Sequence, residues 1–377
     1  MSKYMAAARW ANNMSEKRKQ IDRAYLLQKA HGYDALNYLS LVEEYEFFFG
    51  SQVQGYIAYL RKGRKAMSLG DPVCEIEDRK PLIEEYLRFC EGQCLKPIFI
   101  AVSSDTMYIM QELGLSVMKC GEEAVLDLSE YTLAGGTRAV LRRSVNKGDK
   151  SGVTLQEYCP QKKRDFALET EIMELSRKWY EDKERQINFA VGSIDFEHPY
   201  DRRFFITRDA EGTMLVFLSF LPYDHGKKLC IDLMHRKMDA PTGIMEHAII
   251  SVARAVREEG IAEISLNFAP LAGIGTGETG MTIVERLLNA IFQKMDAGYH
   301  FKKLHQFKKK FDPSIWEPRY IVYHRRISKI DLAMTVSNTM LGSVDLILYA
   351  RYKFFLIGEL FKIKWEFITR GKNRRSL

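Results

Sequence analysis

Long apolar runs are missing: nowhere in the 377 residues do about 18 uncharged apolar residues follow one another, which argues against a membrane-spanning helix. The N-terminus lacks the continuous apolar core of a signal peptide, so a cytoplasmic chain is expected. Cysteine is sparse. The six, Cys74, Cys90, Cys94, Cys120, Cys159 and Cys230, never take the C-x-x-C spacing of a zinc or dithiol site, and scattered thiols in a reducing compartment are the expectation, with no metal site. An excess of one charge is nearly absent too. The 56 basic and 49 acidic residues leave +7, too little to identify a polyanionic partner unless the charge is concentrated somewhere.

What is present is a core. Hydrophobic residues make up 46% and aromatics 12%, a composition that folds, and 377 residues leave room for two domains. The most informative stretch is 229–270. It reads as a short apolar strand at 229–234 holding one carboxylate, Asp232, then a loop carrying His235, Arg236, Lys237 and Asp239. A helix follows with apolar residues at Ile244, Met245, Ala248, Ile249, Val252, Ala253 and Val256, the spacing that buries one face. Gly260 stops it and 261–267 returns as a strand. The loop therefore belongs at the carboxyl end of a sheet strand, where open α/β folds place ligands.

The rest of the chain repeats this grammar. A polar helical lead-in covers 1–30; strands are expected at 45–49, 54–60 and 65–69, a helix at 79–94, a strand at 97–102, a helix at 104–113 and a strand at 124–128. A basic connector, 135–160, carries Arg138, Arg142, Arg143, Lys147 and Lys150. If helical it puts Arg138 and Arg142 on one face; it also suits a solvated linker. A second set follows: a helix at 163–180, a hairpin of strands 214–221 and 229–234, the helix and strand described above, a helix around 281–295 and a strand around 319–324. This order of elements resembles that of an N-acetyltransferase lobe taken twice, so the expected fold class is α/β (α+β), with two tandem N-acetyltransferase-like lobes, 31–134 and 161–328, having mixed sheets and joined by a basic helix. A basic amphipathic tail, 329–377, completes it. The tail's last 27 residues hold eight basic and two acidic residues among apolar ones. That pattern suits either the surface of an anionic membrane or a helix docked on protein.

Coenzyme A would need a loop rich in glycine and free N–H groups. Here Pro241 removes a donor and Asp239 sets a negative charge where phosphate would sit, so another acyl donor is expected. Residues 301–320 interleave five lysines with Phe301, Phe307, Phe311 and Trp316. Such a segment suits a single-stranded nucleic acid, or is an amphipathic element with its lysines in water. Asp232, His235, Arg236 and Asp239 could hold an ammonium, orient a hydroxyl and stabilise an oxyanion; alternatively Asp239 caps the next helix and pairs with Arg236. A carboxylate inside an apolar strand is costly unless paired or used, which singles out Asp232.

Five motifs occur in order: SLGDPV (68–73), GEEAVLDL (121–128), DLMHRKMDAPTGIME (232–246), SLNFAPL (265–271) and FKKKFDPSIWEPRYIVY (307–323). Over about 30–325 the chain thereby resembles the C-terminal catalytic domain of bacterial phosphatidylglycerol lysyltransferases. The resemblance implies an aminoacyltransferase that moves an amino acid, lysine or another, from aminoacyl-tRNA to a lipid hydroxyl at the cytoplasmic membrane face. It implies catalytic roles for Asp232, Asp239, Glu317 and either His235 or Arg236, since the family usually has Arg where His235 stands. Lys308, Lys310 and Arg319 match the family's motifs, and with Arg142, Arg143 and Asn267 they are the expected substrate-binding residues. The implied partners are aminoacyl-tRNA and an anionic membrane lipid, with no DNA and no cofactor. The family's multi-helix membrane domain is not part of this sequence, and the alternatives are an acyl-coenzyme A-dependent N-acyltransferase or a non-catalytic membrane- or RNA-binding protein.

Overall fold

A computed structural model describes residues 2–181, 192–270, 272–274 and 301–341. The helix expected around 281–295 and the tail beyond 341 lie outside the described residues. In chain order the first half contains α1 (Ser2–His31), a 3-10 turn (Ala35–Ser40), β1 (Glu46–Phe49), β2 (Tyr56–Lys62), β3 (Lys65–Leu69), α2 (Arg79–Gly92), β4 (Lys96–Val102), α3 (Ser104–Glu112) and β5 (Ser116–Asp127). Next come α4 (Ala139–Lys150), β6 (Thr154–Tyr158) and α5 (Phe166–Glu181). The second half continues with β7 (Arg203–Arg208), β8 (Met214–Tyr223), β9 (Lys228–Arg236), α6 (Ile244–Glu258), β10 (Glu263–Pro270), α7 (Phe301–Lys309), β11 (Ile315–Tyr323) and α8 (Lys329–Leu341).

The strands form one 11-stranded sheet in the order β1-β2-β3-β4-β11-β5-β10-β9-β8-β7-β6. Pairing β1 with β7, β2 with β8, and so on to β5 with β11, turns that order into its own reverse, apart from the extra edge strand β6. The chain is thus two acetyltransferase-like lobes related by a pseudo-twofold axis, and they exchange strands across it. β11 lies antiparallel to both β4 and β5, and β5 lies antiparallel to both β11 and β10. Each lobe has one parallel pair, β3 with β4 and β9 with β10.

Helices cover both faces. On one face α6 presents Ile244, Ala248, Ile249, Val252, Ala253 and Val256 to Leu229, Ile231, Ile264 and Leu266 of the sheet. Trimming a fully buried side chain such as Ile249 to alanine costs about 3 kcal/mol. α4 lies against α6, and Gly148 permits the approach, because a Cβ there would run into the His247 ring. On the other face the end of α1, the 3-10 turn and α8 pack with Met67, Ile98, Cys120, Cys230 and Ile321 in a single core that spans both lobes.

β5 is longer than the expected 124–128 because Lys119, Glu122 and Glu123 look like loop residues in sequence. In the sheet they are paired, Lys119 with Glu122 and Glu123 with Arg319. β6 and β7 did not stand out in the sequence either; β6 is an edge strand whose residues are mostly exposed or half-buried.

Candidate active site

Asp232 owes its position to a β-bulge. Leu218 pairs with Met234 and Phe220 with Ile231, so Asp232 and Leu233 together face the single residue Ser219. A bulge turns one extra side chain to a face where alternation would not put it. Asp232 and His235, three residues apart, would otherwise point to opposite faces; here both lie on the face covered by α5 and the 3-10 turn. Ser219 pins the bulge: its hydroxyl accepts from the Leu233 N–H at 3.1 Å and donates to Asp232 Oδ2 at 3.3 Å. The Gly192 N–H donates to Asp232 Oδ1 at 3.0 Å, and glycine is needed there because a Cβ would overlap the carboxylate.

The carboxylate is under-compensated. Its side chain is 1% exposed and the Arg202 guanidinium stands 3.9 Å away, itself buried and donating to the Tyr38 carbonyl at 3.4 Å. Burial raises the Asp232 pKa, against the pull of Arg202 and of the Gly192 and Ser219 hydrogen bonds. His235 Nδ1 lies 2.8 Å from the Ser176 hydroxyl. Its ring packs on Trp179 at 4.5 Å and edge-on to Tyr180 at 4.9 Å.

β10 carries a matching bulge. Ser265 pairs with Val125 and Phe268 with Glu123, leaving Leu266 and Asn267 opposite one residue, with Asn267 at φ 68°. The parallel β9–β10 pairing accordingly stops at Ser265 and Cys230, and the strands splay beyond it. Asn267 bridges the gap, its Nδ2 donating at 2.8 Å to the carbonyl of Ile231, the residue before Asp232. Lys308 in turn donates to the Asn267 and Phe268 carbonyls, at 2.7 Å each. A continuous chain of bonds thus runs from Lys308 through Asn267 to the backbone at Asp232. Lys308 is enclosed, and burial pulls its pKa down to about 7 while Cys230 and Glu123 oppose the drop.

Arg319 centres a second buried group on the same face. It pairs with Glu123, with Asp34 at 3.3 Å and with Glu317 at 3.9 Å, and Ser265 donates to Glu123. Burial pushes Asp34 up to about 6, and Arg319 opposes this. Glu317, about half exposed, is also raised, chiefly by desolvation, with Arg319 working against it.

The remaining expected site residues lie elsewhere. Arg236 projects from the opposite side of β9 and donates to the Lys237 and Met238 carbonyls at 3.4 Å. Asp239 is 74% exposed and pairs with Lys237 at 3.4 Å, not with Arg236; the residue that caps α6 is Gly243. Arg142 donates to the Leu133 and Gly135 carbonyls, Arg143 is exposed, and Lys310 pairs with Glu246 at 2.8 Å. Sequence reasoning missed Arg202, Ser219, Gly192, Ser176, Asp34 and Glu123. Only Glu123 lay in a motif singled out in advance; the others reach the site through tertiary folding that leaves no local pattern.

Residues 24–323 match the family described as phosphatidylglycerol lysyltransferase, C-terminal. A phosphatidylglycerol lysyltransferase of Bacillus subtilis (strain 168) is 28% identical over 319 residues, covering 85% of this chain and 36% of the relative. One from Staphylococcus epidermidis is 26% identical over 303 residues, 80% of this chain and 35% of the relative. The chain therefore spans about a third of the length of these relatives. Among solved structures, L-PGS from Bacillus licheniformis superposes with a TM-score of 0.74 at 24% identity, covering 85% of this chain and 96% of that one, and so shares the fold. With a match across most of its length, the chain belongs to the phosphatidylglycerol lysyltransferase C-terminal family.

Proposed function

We propose that the protein transfers an aminoacyl group from aminoacyl-tRNA to the hydroxyl of an anionic lipid such as phosphatidylglycerol, working at the inner membrane surface. The observation that carries the reading is the buried, under-compensated Asp232 at the splay of β9 and β10, in a chain whose family relatives are named for lysyl transfer to phosphatidylglycerol. A buried carboxylate gains most from a cation brought beside it, and every aminoacyl ester carries an ammonium.

The donor ester is already activated, so the reaction is proposed to use no cofactor. The acceptor oxygen bonds to the ester carbonyl carbon, the ribose oxygen leaves, and the acceptor's proton passes to that leaving oxygen. Holding the two substrates in place supplies much of the acceleration in such a step. Asp232 anchors the ammonium, with its carboxylate fixed by Ser219, Gly192 and Arg202. His235, on the same face and held by Ser176 and two aromatic rings, borders the reacting ester.

No helix among the described residues is long and apolar enough to cross a membrane. The test is transfer of radiolabelled amino acids from a panel of aminoacyl-tRNAs to phosphatidylglycerol vesicles, with mass spectrometry of the product. Asp232→Asn is expected to lower transfer by about 10³-fold; because it also leaves the buried Arg202 guanidinium without its carboxylate, the melting temperature is measured alongside to separate lost activity from lost fold. No labelled lipid from any aminoacyl-tRNA overturns the reading.

A further inference from the structure

Three of the cations expected to hold RNA are used inside the protein: Arg142 on loop carbonyls, Lys308 on Asn267 and Phe268, and Lys310 on Glu246. A different set remains. A cleft of about 500 Å³ opens between the C-terminal ends of α2 and α3, the start of β4 and the residues that follow β11. Arg64, Arg88, Lys96, Arg325 and Arg326 stand around it with Glu91 as the one carboxylate in its lining. Nearby Lys65 and Lys80 pair with Asp331 and Glu112, whereas these five form no ion pair among the described residues.

The five cations and Glu91 leave a net of +4. The two helix C-termini at the wall each contribute about −0.5, so roughly +3 is left. The local field is also felt by His324, whose pKa is lowered first by burial and then by Arg326, Lys96 and Arg325.

Strand directions fix where this cleft sits. β4 is antiparallel to β11, β11 to β5, and β5 to β10, while β10 is parallel to β9. The start of β4 therefore lies in the direction in which β9 and β10 splay, but further along the sheet: Val125 of β5 faces Ser265 at the splay, whereas Ser116, nine residues earlier, faces Tyr323, the partner of Ile98. Four strand spacings across the sheet and about nine residues along it separate the start of β4 from the splay, roughly 35 Å in all. Cys90, Leu95 and Leu115 in the cleft floor are already buried, so little apolar surface is left for an acyl chain. Arg64, Arg88, Arg325 and Arg326 are exposed. Exposed, unpaired guanidinium groups around a concave surface suit a phosphodiester backbone.

We propose that this first-lobe cleft binds backbone phosphates of the donor RNA while its aminoacylated end is presented to Asp232 at the splay. The inference rests on the aminoacyl-tRNA reading above and adds a docking surface in the first lobe, away from Asp232.

The experiment compares the full chain with its Arg88→Ala/Arg326→Ala variant; both residues are exposed, and circular dichroism and melting check the fold. Binding of uncharged tRNA is measured across salt concentrations by fluorescence anisotropy. Loss of two phosphate contacts is expected to reduce the slope of log affinity against log salt by about 2 and to weaken binding about tenfold at moderate salt. In the transfer assay the variant should raise KM for intact aminoacyl-tRNA and leave kcat, and the rate with a short aminoacylated CCA fragment, unchanged. RNA binding with an unaltered salt slope overturns the proposal. So does a variant that loses binding to phosphatidylglycerol vesicles but not to tRNA, or a cleft saturated by inorganic phosphate without displacement of tRNA. Were transfer absent while the variant still lost tRNA binding, the cleft would stand and the transferase reading would fall.

Discussion

The two parallel strand pairs share a topology and differ in how they end. In the first lobe β3 and β4 stay paired for five residues, to Leu69 and Ile100, and Gly70 N–H extends the contact to the Ile100 carbonyl. Protein then fills the space beyond. Asn37, from the 3-10 turn, donates to the Leu69 and Asp71 carbonyls, and Asp71 accepts from the Ser103 N–H and hydroxyl. In the second lobe the β9–β10 pairing ends after three residues, between two bulges, and Asp232 sits at the divergence. One architecture used twice therefore yields a sealed end and a splayed end. The sealed lobe braces the splayed one through the strands they exchange.

Arg319 is where that bracing is most exposed to mutation. It lies on β11, the strand shared between lobes, and compensates Asp34 of the first lobe together with Glu123. Arg319→Gln leaves two buried carboxylates without their cation and is expected to cost about 3–5 kcal/mol, read by urea denaturation. Asp34→Asn in the same background should recover part of the loss. No recovery would mean that Arg319 acts through β11 packing instead of charge.

Lys308 tests the bulge side of the comparison. Lys308→Met strands the Asn267 and Phe268 carbonyls and should cost about 2 kcal/mol, with transfer lowered because Asn267 no longer fixes Ile231. The folded lysine, at about 7, lies below its ordinary 10.5, so the folded state binds fewer protons than the unfolded state between those values. Stability of the parent protein should rise with pH across that window. The gap to Lys308→Met should widen from pH 7 to 10; a constant gap would mean that the folded pKa is not lowered.

Much of this architecture was legible in the sequence. The expected strand 65–69 and the start of the helix at 79 coincide with β3 and α2, and 104–113 with α3 to within one residue. The helix after Asp239 begins at Ile244, where the apolar spacing begins. These elements are set by local periodicity, which sequence displays directly. The insertion of β11 between β4 and β5 was not legible, because strand order depends on contacts about 200 residues apart. The site divides along the same line. Asp232 stood out as a charge in an apolar strand, whereas its bulge depends on the partner strand, which alone explains why His235 shares its face and Arg236 does not. Lys308 read as a solvent-facing cation within a basic run, and only its packing shows that it is enclosed.

Ser219 is the smaller lever on the same bulge. Ser219→Ala removes the hydroxyl that accepts from Leu233 and donates to Asp232, at an expected cost of about 1 kcal/mol and about tenfold in transfer. Ser219→Thr keeps the hydroxyl and should restore much of the activity if the added methyl is accommodated. Equal losses in both variants would trace the effect to packing.

The smallest effects are expected beyond the end of β9, and they separate the splay from the loop that follows it. Among the described residues Arg236 is bonded to carbonyls of its own loop, and Asp239 is largely exposed beside Lys237. An exposed ion pair contributes under about 1 kcal/mol. Arg236→Ala and Asp239→Asn should therefore each change stability by less than about 0.5 kcal/mol and transfer by under about twofold, against the much larger loss in Asp232→Asn. His235→Ala belongs with Asp232 in that comparison, since the bulge puts both on one face. A loss in Arg236→Ala as large as in His235→Ala would mean that the loop folds back onto the pocket during turnover, and that the splay alone does not make the site.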